Sequence, residues 1–142
     1  MFKWLQIGDW TIEIDQVATQ RIYATLPLLT SSCDCLFCRN YAEACKSLSP
    51  TVLEFFDNLG IDPTKATEVY ELSKLDNGLH SYGGIYHLVG RMVDTLESVE
   101  NFEVDKTFEV SFTTKLELTP EEFTDPVVQM NFLTDIVWVA SI

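Results

Sequence analysis

The sequence predicts an α+β domain: a curved, mainly antiparallel sheet of six to seven strands with two consecutive helices packed on one face. Three observations carry that expectation. Segments toward both ends alternate apolar and polar residues with the period of a half-buried strand, and the middle holds two successive stripes at helical spacing. Strands and helices do not alternate as they would in a parallel, doubly wound sheet. At 142 residues the chain, 1–142, reads as one ordinary domain that can close a core without disulfides.

Trp10, Ile12 and Ile14 fall on one side of the first alternating stretch and Thr11, Glu13 and Asp15 on the other. Gly8-Asp9 then reads as the turn of a hairpin between residues 2–7 and 10–15. A third strand is expected from Gln20 to Leu26, ended by Pro27. Beyond it Phe37 or Cys38, Tyr41, Ala44 or Cys45, and Leu48 recur at three and four, predicting a helix from Asp34 with Ser32 or Asp34 as its cap. Ser49 and Pro50 open a second helix, Val52, Leu53, Phe56 and Leu59 make its buried stripe, and Gly60 closes it.

Strand periodicity returns from Glu68 to Ser73, turns at Asp76-Asn77-Gly78, and resumes from Leu79 to Val93. Gly83-Gly84 within that segment predicts a bulge or bend. Val104, Phe108, Val110, Phe112, Leu116 and Leu118 share one face of the next predicted strand, and Val127 to Val139 supplies the last. The expected core holds Trp10, Phe56, Phe108, Phe112, Phe132 and Trp138, each contributing roughly 1.5 to 3 kcal/mol when buried.

With 22 acidic residues against 9 Lys and Arg, the net charge is -13, the wrong sign for holding nucleic acid through its phosphates. Ten of the acids, from Asp94 to Asp125, face only Lys106 and Lys115. That stretch reads as a solvated face or as a surface that docks on a basic protein. No apolar leader opens the chain and no apolar run approaches the roughly 20 residues that span a bilayer, so the expected location is the cytoplasm. In that compartment thiols stay reduced, and cysteines read as metal-binding, redox or core residues before disulfides.

Cys33-Asp34-Cys35-Leu36-Phe37-Cys38 places three thiols in six residues where a loop enters a helix. Exposed amides and the helix dipole favour thiolates there, although Asp34 opposes them. For zinc, Cys35 and Cys38 form a two-ligand arm and Cys33 is a third donor. Cys45 lies about 10.5 Å further along a continuous helix, too far to share the ion. The fourth ligand must come from His80 or His87, and the predicted set is Cys33, Cys35, Cys38 and His87. Alternatively, Cys35 and Cys38 form a redox dithiol with Cys33 as resolving thiol, or the cysteines are small core residues, the reading favoured for Cys45. His87, in register with Ile85 and Val89, also reads as a hydrogen-bonded core histidine. No nucleophile elbow, zinc-protease helix, phosphate loop or dinucleotide fingerprint is present, which argues against an enzyme.

The runs Cys35-Leu36-Phe37-Cys38-Arg39-Asn40-Tyr41, Leu59-Gly60-Ile61-Asp62-Pro63 and Tyr82-Gly83-Gly84-Ile85-Tyr86-His87-Leu88-Val89-Gly90 resemble small bacterial proteins of unknown function over roughly residues 33 to 93. The resemblance implies no activity, only that the cysteine helix and the glycine-bearing strand form one module. The leading expectation is therefore a non-enzymatic cytoplasmic binding or interaction module with a thiol-rich zinc site. An acidic inhibitor or immunity-type protein that docks on a basic partner is the alternative, and a thiol redox enzyme the third. Unpaired edge strands would allow a homodimer.

Overall fold

The computed structural model describes residues 2–93 and 101–139, so Asp94, Glu97 and Glu100 of the acidic run lie outside the described residues. Seven strands form one antiparallel sheet: β1 Lys3–Ile7, β2 Trp10–Ile14, β3 Glu68–Lys74, β4 His80–Met92, β5 Phe102–Asp105, β6 Phe108–Thr113 and β7 Val127–Ile136. Their order is β1-β2-β4-β7-β6-β5, with β3 also paired to β4. The helices are α1 Gln16–Thr25, α2 Leu29–Ser32, α3 Leu36–Ala44 and α4 Pro50–Leu59. The α+β class and the antiparallel sheet are as expected, but the described residues hold four helices rather than two.

The strand expected over Gln20 to Leu26 is instead most of α1. Its start is set locally, because the Asp15 carboxylate accepts from the Ala18 N–H at 3.0 Å and caps the first turn. Thr19 and Tyr23, four residues apart, form its buried face. That face completes the sheet. Strands β2 and β3 both pair with the same strand, at Gly90–Met92 and at His80–Ile85, leaving the middle of β4 with no strand partner on one edge. Hydroxyls from α1 fill the gap: Tyr23 donates to the His87 carbonyl at 2.7 Å and accepts from the His87 N–H at 3.1 Å. Thr19 accepts from the Val89 N–H at 3.0 Å. Buried amides left unpaired would each cost about 1–3 kcal/mol, which makes those two side chains structural.

Helix α4 forms as its signals predict, with Ser49 accepting from the Val52 N–H at 3.2 Å and Pro50 in the first turn. It ends at Gly60, whose φ is +80° and whose missing Cβ would stand 2.4 Å from the Gln16 carbonyl oxygen. Leu53 departs from the expected stripe and is exposed. Val52, Phe56 and Leu59 are buried against the sheet. Phe56 packs edge-on against Tyr86 and Phe108, while Tyr41 of α3 and Phe108 each stack on Phe132. The helix-covered face of the sheet thus carries a cluster of stacked and edge-on aromatic rings.

Gly83-Gly84 introduces no bulge between β4 and β7. Its ladder with β7 runs unbroken from His80↔Ile136 to Val89↔Val127. The glycines are needed because neighbours crowd them: a Cβ on Gly83 would meet the Tyr70 ring at 2.8 Å, and one on Gly84 the Glu68 carbonyl oxygen at 2.3 Å. The register shift lies across the pair, in β3 between Glu71 and Ser73. The long strand expected over Val104 to Leu118 is also divided. Asp105 accepts from the Thr107 N–H at 2.8 Å, closing a turn between β5 and β6, and Leu116 and Leu118 lie exposed in the following loop. Of the expected core, Trp10, Phe56, Phe108, Phe112 and Phe132 are buried, whereas Trp138 lies past the end of β7 and is half-buried.

Candidate metal centre

The chain between α2 and α3 changes conformation twice within six residues, and this brings the thiols together. Cys33 and Cys35 are both extended, so side chains two apart point the same way. Cys35 then occupies the N-cap of α3, from which a side chain reaches the third residue of the helix, Cys38. Cysteines at i, i+2 and i+5 across an extended-to-helical junction therefore converge. The Cys33 and Cys35 sulfurs are 3.2 Å apart, the Cys38 N–H donates to the Cys35 sulfur at 3.4 Å, and all three Sγ atoms lie within 4.8 Å of one another. The cap is a cysteine, in place of the expected Ser32 or Asp34. Asp34 points to solvent, 3.7 Å from the Arg39 guanidinium.

Burial grades across the cluster: Cys35 is exposed, Cys33 half-buried and Cys38 buried. Partial burial disfavours charge on Cys35, but the N–H of Cys38, the thiols of Cys33 and Cys38 and the N–H of Phe37 outweigh it and hold its pKa below the ordinary thiol value. Burial, reinforced by the sulfurs of Cys33 and Cys35, drives Cys38 strongly the other way. The two neighbouring sulfurs are shifted in opposite directions.

Helix α3 is tied down from two directions. Its buried Asn40 donates to the Val137 carbonyl at 3.2 Å and accepts from the Val139 N–H at 2.6 Å, drawing the segment after β7 over the helix. Phe37 meets Trp138 edge-on, and Tyr82 of β4 donates to the Phe37 carbonyl at 3.0 Å. The cluster thus stands on the sheet through Tyr82 and on the segment after β7 through Asn40. Sequence reasoning missed Asn40. Its one signal is an amide at helical spacing within the predicted stripe, three residues after Phe37 and four before Ala44.

The predicted fourth ligand is not there. His87 is fully buried, with Nδ1 2.9 Å from the Thr67 hydroxyl and Nε2 3.4 Å from that of Thr119. Burial lowers its pKa, and it is the hydrogen-bonded core histidine of the competing expectation. The reason is the pleat: Tyr82 and Tyr86 point toward α3 and α4, and His87, at odd register, points to the other face. His80 is engaged as well, its Nδ1 2.6 Å from a Glu71 carboxylate oxygen and its ring against Trp138 at 4.8 Å. Among the described residues, no other Cys, His, Asp or Glu joins the three cysteines. Cys45, at the far end of α3, is buried beside the Pro63 carbonyl, and burial pushes its thiol up to about 12.

Comparisons with protein-family models, with curated proteins and with solved structures give no match to this chain.

Proposed function

We propose that the chain is a metal-binding interaction module in which Cys33, Cys35 and Cys38 hold a zinc ion. The observation that carries this reading is the convergence of three sulfurs within 4.8 Å. Two thiolates bound at about 2.3 Å in tetrahedral geometry stand about 3.8 Å apart, so small side-chain rotations bring this set onto one ion. Sulfur donors suit zinc, and the net charge of -13 favours accumulation of cations near the surface. Three protein ligands leave one tetrahedral position for water or a partner's side chain, at the exposed edge marked by Cys35. Elemental analysis of protein purified without added metal tests the reading. Close to one equivalent of zinc, removed by chelator with a fall in thermal midpoint, is expected. Below about one-tenth of an equivalent, with no response to chelator, the reading fails.

A second reading, thiol redox chemistry, is favoured by the asymmetry of Cys35 and Cys38, one exposed with a lowered pKa and the other buried with a raised one. It requires a measurable two-electron potential between the dithiol and a Cys35–Cys38 disulfide. Retention of zinc under mild oxidants would exclude it.

A further inference from the structure

We propose that Cys33, Cys35 and Cys38 form a complete three-sulfur site for a trivalent metalloid, arsenic(III) taken up as arsenous acid. The inference shares with the zinc reading the convergence of the three thiols, but it does not require zinc to bind.

Donor number is the first ground. Zinc in a structural site takes four ligands, and no fourth Cys, His, Asp or Glu joins the cluster among the described residues. Both histidines are held elsewhere, His80 by Glu71 and His87 by Thr67 and Thr119, and Asp34 points to solvent. A trivalent arsenic centre needs only three donors, because its lone pair occupies the fourth direction. The cluster is one protein ligand short of a closed zinc site and has the donor number that arsenic takes.

Spacing is the second ground. A lone-pair centre narrows the angles between its bonds toward 90°, and for bonds of about 2.3 Å this places neighbouring sulfurs about 3.3 Å apart, against about 3.8 Å on a tetrahedron. The Cys33 and Cys35 sulfurs already stand 3.2 Å apart. For that pair the pyramid needs almost no rearrangement, while a tetrahedral ion must spread it by about half an ångström.

Protonation is the third. Zinc binding requires thiolates and releases their protons. Arsenous acid reacts with thiols as thiols. Three As–S bonds form and three As–O bonds break, each departing hydroxyl leaves with a thiol proton as water, and arsenic remains trivalent throughout. No oxidant, reductant or net proton transfer is involved. The acid is uncharged at neutral pH, so the chain's net charge of -13 does not repel it as it would an oxyanion. Exposed Cys35 offers the first sulfur, half-buried Cys33 the second and buried Cys38 the last, an order that leads the metalloid inward.

The test is titration of the reduced, metal-free full chain with sodium arsenite, read by native mass spectrometry, with zinc titrated in parallel. The expected product gains one arsenic atom and loses three hydrogens, and its affinity is level from about pH 6 to about pH 8, whereas zinc affinity rises with pH. Cys33→Ser and Cys35→Ser, at the accessible positions, each yield at most a two-sulfur adduct that keeps one hydroxyl. Because Cys38→Ser alters a buried position, those two variants carry the test if it does not fold. A wild-type adduct that keeps a hydroxyl, or no adduct, overturns the proposal. Zinc binding without an arsenic adduct sinks this inference and leaves the zinc reading. An arsenic adduct without zinc binding does the reverse, and failure of both sinks the convergence itself.

Discussion

The two ends of α3 carry the same functional group with opposite chemistry. At its N-terminus Cys35 is exposed, receives the Cys38 N–H and is acidified. At its C-terminus Cys45 is buried beside the Pro63 carbonyl, with its pKa raised to about 12 by desolvation. Residue type therefore says little about a cysteine here. What decides is whether unpaired amides or a carbonyl and hydrocarbon surround the sulfur.

The largest expected effect that would break this comparison is in alkylation. Near neutral pH, in metal-free reduced protein, Cys45 should react with iodoacetamide at least about 1000-fold more slowly than an ordinary exposed thiol, because its pKa of about 12 leaves far less thiolate than the usual value of about 8.5. Cys35 should react faster than an ordinary thiol. Peptide mapping of the modified sites over time reads both rates, and comparable labelling of Cys45 and Cys35 in folded protein would abolish the distinction.

Stability sharpens it next. Asn40→Ala removes an amide that bonds both Val137 and Val139 and leaves the Val139 N–H without that acceptor. The expected loss is about 1–3 kcal/mol by urea denaturation. Because Asn40 lies between the two thiol ends, the variant should also speed alkylation of Cys38, which is buried under the same turn. Unchanged stability would mean that the segment after β7 does not hold the helix.

How much of this was legible in the sequence follows the range of the interactions. The β1–β2 hairpin and α4 were legible because Gly8, Ser49, Pro50 and Gly60 act on their immediate neighbours. So was the thiol cluster, whose i, i+2, i+5 spacing turns on one local change from extended to helical backbone. Helix α1 reads as a strand over Gln20 to Leu26 because its buried residues serve a gap in the edge of β4, some seventy positions away for Thr19 and Val89. Gly83 and Gly84 look like a bulge until Tyr70 and Glu68 are seen against them. The sequence does not tell that His87 faces away from the thiols, because which face of the sheet a strand residue takes depends on long-range pairing.

His87 supplies a pH test of that corrected placement. In the fold its pKa is lowered by burial, so as pH falls through about 6.5 the unfolded chain takes up a proton that the folded chain refuses. Stability is full above that range and falls below it, by up to about 1.4 kcal/mol per pH unit until the folded pKa is reached. Urea midpoints measured on either side of the transition, compared with His87→Gln, check the sign. A histidine that gained a carboxylate partner on folding would give the opposite slope.

The smallest effect is expected where the functional stakes are highest. Cys35→Ser replaces one N-cap acceptor by a better one, since a serine hydroxyl is among the preferred caps and a thiol is a weak acceptor. The side chain is exposed, so no cavity or buried hydroxyl results. Its stability in chelator should stay within about 0.5 kcal/mol of the parent, while its metal content falls. Cys45→Ser makes the contrast, because it buries a hydroxyl where the sulfur packs against the core and should cost about 1–3 kcal/mol with metal content unchanged. If Cys35→Ser instead destabilised the metal-free chain as much as Cys45→Ser, the thiol at the helix start would be part of the packing, and the cluster would be one more piece of core.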